Sequence, residues 1–226
     1  MKELLTIASR ELSSRADPKK AAEMAAYMKT DMPFYGVQKK GRTEVLRMMK
    51  REIPISDNSS YLAAVETLWS QPHREEKYLA IGIAKSYGDF LTIENLDLYR
   101  RLIVEGAWWD LVDEVAIHCV GIVYLNEREQ AEPTIEAWID DDIMWLRRTS
   151  LISPIKHRAD TDHEMLFDHC LRRAHEKEFF IRKAIGWTLR EYAKTEPERV
   201  RSFLLEHQDK WSGLSFREAA KHLDVG

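Results

Sequence analysis

Long apolar runs are missing from this chain. The longest, such as Cys119–Leu125, fall far short of the roughly 20 residues that a membrane-spanning helix needs, so no membrane partner is expected. Two cysteines, Cys119 and Cys170, are too few for a disulfide framework and fit a reducing compartment. The opening stretch MKELLTIASRELSSR has an acid at position three and no extended apolar segment, unlike a signal peptide. A cytoplasmic protein is expected. With only 9 Gly and 7 Pro among 226 residues, and 44% apolar, the chain is neither fibrous nor disordered. Two-residue alternation over a convincing length is absent, which argues against sheet. There is no phosphate-cradling glycine loop, dinucleotide fingerprint or HExxH motif, and neither cysteine sits in a nucleophile motif. His163, His169 and His175 recur every six residues, scattered around a helix, so neither a metal site nor a cofactor is expected.

What is present is helical periodicity. In Pro18–Thr30, Ala21, Ala22, Met24, Ala25 and Met28 form a one-sided stripe with Lys and Glu opposite. Similar stripes run through Tyr61–Trp69, Lys77–Tyr87, Leu98–Val104, Trp108–Tyr124, Ile143–Ile152, Met165–Ala174, Phe179–Ala193 and Val200–Leu205. Pro18, Pro72, Pro133 and Pro197 fall between stripes, where the missing N–H of a first helical turn costs nothing. Many helices of similar length predict an all-α, HEAT-like helical-repeat solenoid, one domain over residues 1–226. Trp109, Arg148 and Trp187 are 39 residues apart each time, close to the period of such repeats. A monomer is expected, because each end of a solenoid can be capped by its own polar helix.

The net charge of −4 and pI near 6.1 do not by themselves suggest a nucleic-acid binder. The distribution is uneven, however. Arg15–Arg51 holds ten Lys/Arg against four Asp/Glu; Asp89–Asp142 holds three against fourteen; Ile143–Lys194 holds eleven against seven. Basic ends around an acidic middle fit either a polyanion gripped on a concave basic face or ordinary solvated helix faces.

Three segments stand out chemically. In Ala107–Asp113 the adjacent tryptophans point about 100° apart, while Trp109 and Asp113 share one face. An indole beside a carboxylate can hold a flat cationic group; the alternative is that Trp108 is core, Trp109 packing and Asp113 surface. In Ile143–Arg148, Arg147 and Arg148 follow Asp140-Asp141-Asp142, a triplet suited to helix capping, and offer paired donors for phosphate. In Glu178–Tyr192, Lys183, Trp187 and Arg190 share a stripe suited to a nucleic-acid groove, although such a Trp also packs beneath Arg and Lys stems. Gly186, in mid-helix, predicts close approach of another helix.

On these residues the sequence resembles the AlkD family of DNA alkylation-repair proteins. The resemblance runs through Ala26-Tyr27-Met28-Lys29, Phe34-Tyr35-Gly36-Val37-Gln38, Trp108–Asp113, Trp145-Leu146-Arg147-Arg148, Lys177–Trp187 with Arg190–Lys194, and Leu214–Ala219. FFIRKAIGW–REYAK is its most specific part, and the whole spans nearly the full chain in the family's order. After Gln38 the family has Pro and two Arg, whereas this chain reads Lys39-Lys40-Gly41-Arg42-Thr43, keeping charge but not proline.

The resemblance implies a HEAT-like glycosylase that removes alkylated purines from duplex DNA without flipping the base. It implies that Trp109 and Trp187 flank the damaged nucleotide, that Asp113 lies beside the anomeric carbon, and that Arg148 holds nearby phosphate. Tyr27, Gln38 and Arg42 would join Lys183 and Arg190 against the DNA. A purine alkylated at N3 or N7 is cationic and departs neutral without a general acid, so one carboxylate and a water suffice for the developing sugar cation. A non-catalytic HEAT-like module binding DNA or protein is the alternative, favoured if Asp113 proves to be held in a structural hydrogen bond.

Overall fold

The computed structural model describes residues 1–224. Every regular element among them is a helix, and none is long and apolar enough to cross a membrane. The protein is therefore all-α, and its helices fall into two compact units that divide after Phe90.

The first unit holds α1 (Lys2–Ser14), α2 (Pro18–Met28), α3 (Lys39–Glu52), α4 (Asn58–Trp69) and α5 (Arg74–Ala84). Helix α1 buries Leu4, Ile7, Ala8 and Leu12, one side of the cylinder, while α4 and α5 pack together through Tyr61, Val65, Leu68, Leu79 and Ile83. The Tyr61 hydroxyl donates to the Ala84 carbonyl at 2.8 Å across that contact. Helix α2 starts as expected: Pro18 is its first residue, and the Asp17 side chain accepts from the Lys19 and Lys20 amides. It buries nothing completely, and Tyr27 on its outer face is 72% exposed.

Between α2 and α3 the chain folds back over α5. The Glu75 carboxylate, fully buried, accepts the amide protons of Tyr35, Gly36 and Val37 at 2.9–3.0 Å. Gly36 has φ +88° and lies against the Asp17 carbonyl, a place no side chain could occupy. Tyr35 stacks on His73 with centroids 3.9 Å apart and donates its hydroxyl to Glu76. The YGVQ segment is thus a fixed turn built on a buried acid.

The second unit begins at Leu91 and contains α6 (Leu96–Gly106), α7 (Trp109–Val115), α8 (Gly121–Asn126), α9 (Arg128–Trp138), α10 (Met144–Ile152), α11 (His163–Arg173), α12 (Phe179–Ala193), α13 (Pro197–Glu206) and α14 (Gly213–Ala219). Ala107, in the left-handed region at φ 36°, turns the chain sharply between α6 and α7. The stripe expected to run unbroken from Trp108 to Tyr124 is continuous but not uniform: Ala116–Val120 forms a π turn between α7 and α8. Just beyond it, Gly121 lies against the Ser153 carbonyl, and the His157 Nε2–H donates to the Gly121 carbonyl at 2.7 Å.

Two readings of the sequence require correction. Pro133 does not separate helices; it lies inside α9, whose start is set by the break at Glu127. The Asp140–Asp142 triplet does not cap α10 through side chains. Ile143 is the N-cap, Asp141 accepts the Ile143 amide at 2.8 Å, and Asp140 pairs with Arg172 and Arg173. The expected close approach at Gly186 is present: a Cβ there would stand 2.5 Å from Glu218 Cβ and 2.8 Å from the Ser215 carbonyl oxygen. Helix α14 is therefore laid directly on α12, and the Ser215 hydroxyl donates to the Arg182 carbonyl at 3.0 Å.

Candidate functional site

The site is organised by α10, which packs against both α7 and α12 in the second unit. Arg148 on α10 reaches Asp113 on α7 with two parallel bonds, Nε to Oδ1 and Nη2 to Oδ2, both 2.8 Å. Its Nη1 donates to the carbonyl of Phe180, the second residue of α12, at 2.5 Å, and its guanidinium carbon lies 5.8 Å from the Phe180 ring centre. One arginine thus ties three helices together. Its side chain is 4% exposed, whereas that of Asp113 retains 15%. The aspartate side chain keeps some contact with solvent, and the arginine is the more deeply buried partner.

Burial raises the Asp113 carboxyl above its ordinary value, with the negative charges of Asp110 and Glu114 pushing the same way, against the Arg148 guanidinium that lowers it. A carboxylate with both oxygens engaged by a bidentate arginine stays ionised at neutral pH.

Trp109 is one helical turn before Asp113 on the same face of α7 and is half-buried. Trp187 is also half-buried, resting on the apolar cluster of Leu151, Ile181 and Ile185. It follows Phe180 by seven residues on α12, two turns along the same face and roughly 10 Å away along the axis. Beneath this face Trp108, Trp145 and Phe180 form an aromatic cluster with centroids 5.0–6.3 Å apart. Trp108 thus packs inward, and the adjacent Trp109 faces elsewhere.

The cations of the α12 stripe are both engaged. Lys183 Nζ lies 2.6 Å from Glu218 Oε1, and Arg190 Nη1 bonds Glu218 Oε2. Arg147 is similarly occupied, bidentate to Glu176 at 2.9 and 3.1 Å and donating to the Asp141 and Asp142 carbonyls. The remaining predicted residues belong to the first unit. Tyr27 is exposed, Gln38 is the exposed N-cap of α3, and Arg42 donates to the Val37 carbonyl while lying 4.2 Å over the Tyr78 ring.

Sequence reading missed the Asp113–Arg148 pair, which joins residues 35 positions apart without a local signal. It also assigned no role to Glu75, Phe180 or Glu218, although Phe180 and Glu218 lie inside segments it singled out. Glu136, Asp168 and His169 bring three ligand-type atoms within 4.8 Å of one another, and Arg172 bonds both of those carboxylates.

A family model described as DNA alkylation repair enzyme matches residues 8–223. A solved structure described as a predicted DNA alkylation repair enzyme from Enterococcus faecalis superposes with TM-score 0.85 at 26% identity, covering 93% of this chain and 98% of that one. AlkD2 from Streptococcus mutans gives TM-score 0.65 at 15% identity over 90% and 99% of the two chains. The protein smu.31 from Streptococcus mutans UA159 gives 0.62 at 15% over 80% and 92%. No curated protein matches the sequence.

Proposed function

We propose that this chain, which belongs to the DNA alkylation repair enzyme family, is a DNA glycosylase that hydrolyses the N-glycosidic bond of cationic N3- or N7-alkylated purines. The observation that carries the reading is the Asp113 carboxylate, held flat by Arg148 on a side chain that keeps 15% exposure, one turn from the half-buried Trp109.

In this mechanism the alkylated purine leaves as a neutral base, taking the bonding electrons of the C1′–N bond with it. Positive charge then develops on the deoxyribose, and the Asp113 carboxylate stabilises it electrostatically. Water adds at C1′ and loses a proton to solvent, leaving an abasic site. The indole faces of Trp109 and Trp187 flank the nucleotide and favour a cationic lesion over a neutral purine, at about 1 kcal/mol per contact. Arg148 is a positioning residue here: buried, with Nε, Nη1 and Nη2 each donating inward, it fixes the plane of the carboxylate. The protein acts on duplex DNA as a monomer, with Tyr27 and Gln38 among the exposed contacts.

A second reading draws on the same ion pair. Because Asp113 is satisfied by Arg148, the pair also suits a non-catalytic DNA-binding module in which it merely joins helices. Incubation with methylated duplex DNA, with released 3-methyladenine and 7-methylguanine quantified, separates the two. The glycosylase reading expects release that falls about a hundredfold or more in Asp113→Asn. No release from wild type, with salt-sensitive DNA binding intact, selects the module.

A further inference from the structure

Glu218 occupies an unusual position for an acid in a DNA-facing stripe. Its carboxylate bridges Lys183 and Arg190, one oxygen to each, and so spans the two cations on either side of Trp187. The bridge is not a chance meeting of long surface side chains. Helix α14 lies against α12 at Gly186, where Glu218 Cβ sits at a distance no larger residue on α12 would permit. The Ser215 hydroxyl bonds the Arg182 carbonyl, and the Ser212 hydroxyl caps the start of α14. The carboxylate is delivered by rigid backbone to the point between two donors.

A carboxylate there has the charge and bidentate geometry of a backbone phosphate. We propose that Glu218 is an internal competitor for the phosphate site formed by Lys183 and Arg190, and that it sets how tightly this stripe grips duplex DNA. The inference rests on the reading of Lys183 and Arg190 as DNA contacts. Lys183 keeps 38% of its side chain exposed and Arg190 keeps 18%, so a phosphate can approach both from solvent. One carboxylate charge is thus shared between two cations, so one of the two positive charges this stripe could set against DNA is cancelled in the free protein. Their contribution to affinity is therefore reduced for every sequence, damaged or not. A repair protein that must leave undamaged DNA gains discrimination from this: grip is moderated where it carries no information about the lesion.

The test is salt-dependent binding of an undamaged duplex, which needs no excision activity. Glu218→Gln is expected to bind on the order of tenfold more tightly at low salt, with the slope of log K against log salt steeper by about 0.9, the contribution of the one positive charge unmasked. Adding Lys183→Ala and Arg190→Gln to that variant should abolish the gain. Glu218→Asp, too short to bridge both cations, should move in the same direction by a smaller amount; it stands in if the glutamine variant folds poorly. Weaker or unchanged binding by Glu218→Gln, with Lys183→Ala still weakening the wild type, overturns the competition and makes Glu218 a support for the stripe. If neither Glu218→Gln nor Lys183→Ala alters binding or slope, the stripe does not meet DNA and the inference falls with that reading. A wild type that fails to excise alkylpurines yet shows the binding pattern retains the inference.

Discussion

The guanidinium of Arg148 and the carboxylate of Asp113 meet side-on, two donors each 2.8 Å from a different oxygen, with the arginine on the buried side. An arginine so placed governs where a carboxylate points. Lysine keeps the charge but has no planar fork, so Arg148→Lys should lower single-turnover excision by up to about a hundredfold through misplacement of Asp113. The salt dependence of DNA binding should stay the same, since no phosphate contact is lost. Arg148→Met, which strands the Asp113 charge, should cost about 3 kcal/mol of stability, read from urea unfolding. A shallower salt slope in Arg148→Lys would instead make Arg148 a phosphate contact.

Gly186→Ala tests the α12–α14 contact. Alanine is the better helix former by about 1 kcal/mol, yet its methyl would meet Glu218 Cβ and the Ser215 carbonyl. Forcing the helices apart should outweigh propensity and destabilise by about 1–3 kcal/mol. Thermal unfolding of the variant gives the sign directly.

The same helix shows why some of this structure is legible from sequence. Phe179–Ala193 runs between the expected bounds because its apolar positions, Ile181, Ala184, Ile185, Leu189 and Tyr192, recur at helical spacing and are buried. Helix α3 escaped because it buries only Val45 and Met49 among lysines and arginines, and α9 because Pro133 reads as a stop. Helix α1, with a regular stripe, and the short α14 also lay outside the stripes traced. Trp109 and Asp113 were recognisable as neighbours because the helix itself places them one turn apart. The partners Arg148 and Glu218 were not, since only tertiary packing brings them to their counterparts.

Glu75→Gln should destabilise the first unit. A carboxylate receives three amide protons; an amide in its place turns an NH2 toward donors and leaves at least one of them unpaired. The expected cost is about 2 kcal/mol, with faster amide exchange at Tyr35, Gly36 and Val37. Unchanged exchange at those three positions would show that the turn holds itself.

His157 sets a pH dependence in the second unit. Burial lowers its pKa below the ordinary 6.5, and its Nδ1 is buried without a partner. The unfolded chain therefore takes up a proton at a higher pH than the folded one. The stability contributed by neutral His157 is complete above pH 6.5 and is lost as pH falls through that value toward the folded pKa. Urea midpoints between pH 7.5 and about 5 should decline more steeply for wild type than for His157→Gln. Parallel profiles would remove His157 as the cause.

The π turn at Ala116–Val120 holds one residue more than the α-helical turn it replaces. Trp109 and Asp113 stand on the segment before it; Gly121, seated on the Ser153 carbonyl, begins the segment after it. Deleting one residue between 116 and 120 would let the helix close as uninterrupted α and swing the first segment by about 100° about its axis. The Asp113 carboxylate would then look away from Arg148. This stretch can accept exchanges of one small apolar residue for another, but a change in its length would re-aim the carboxylate.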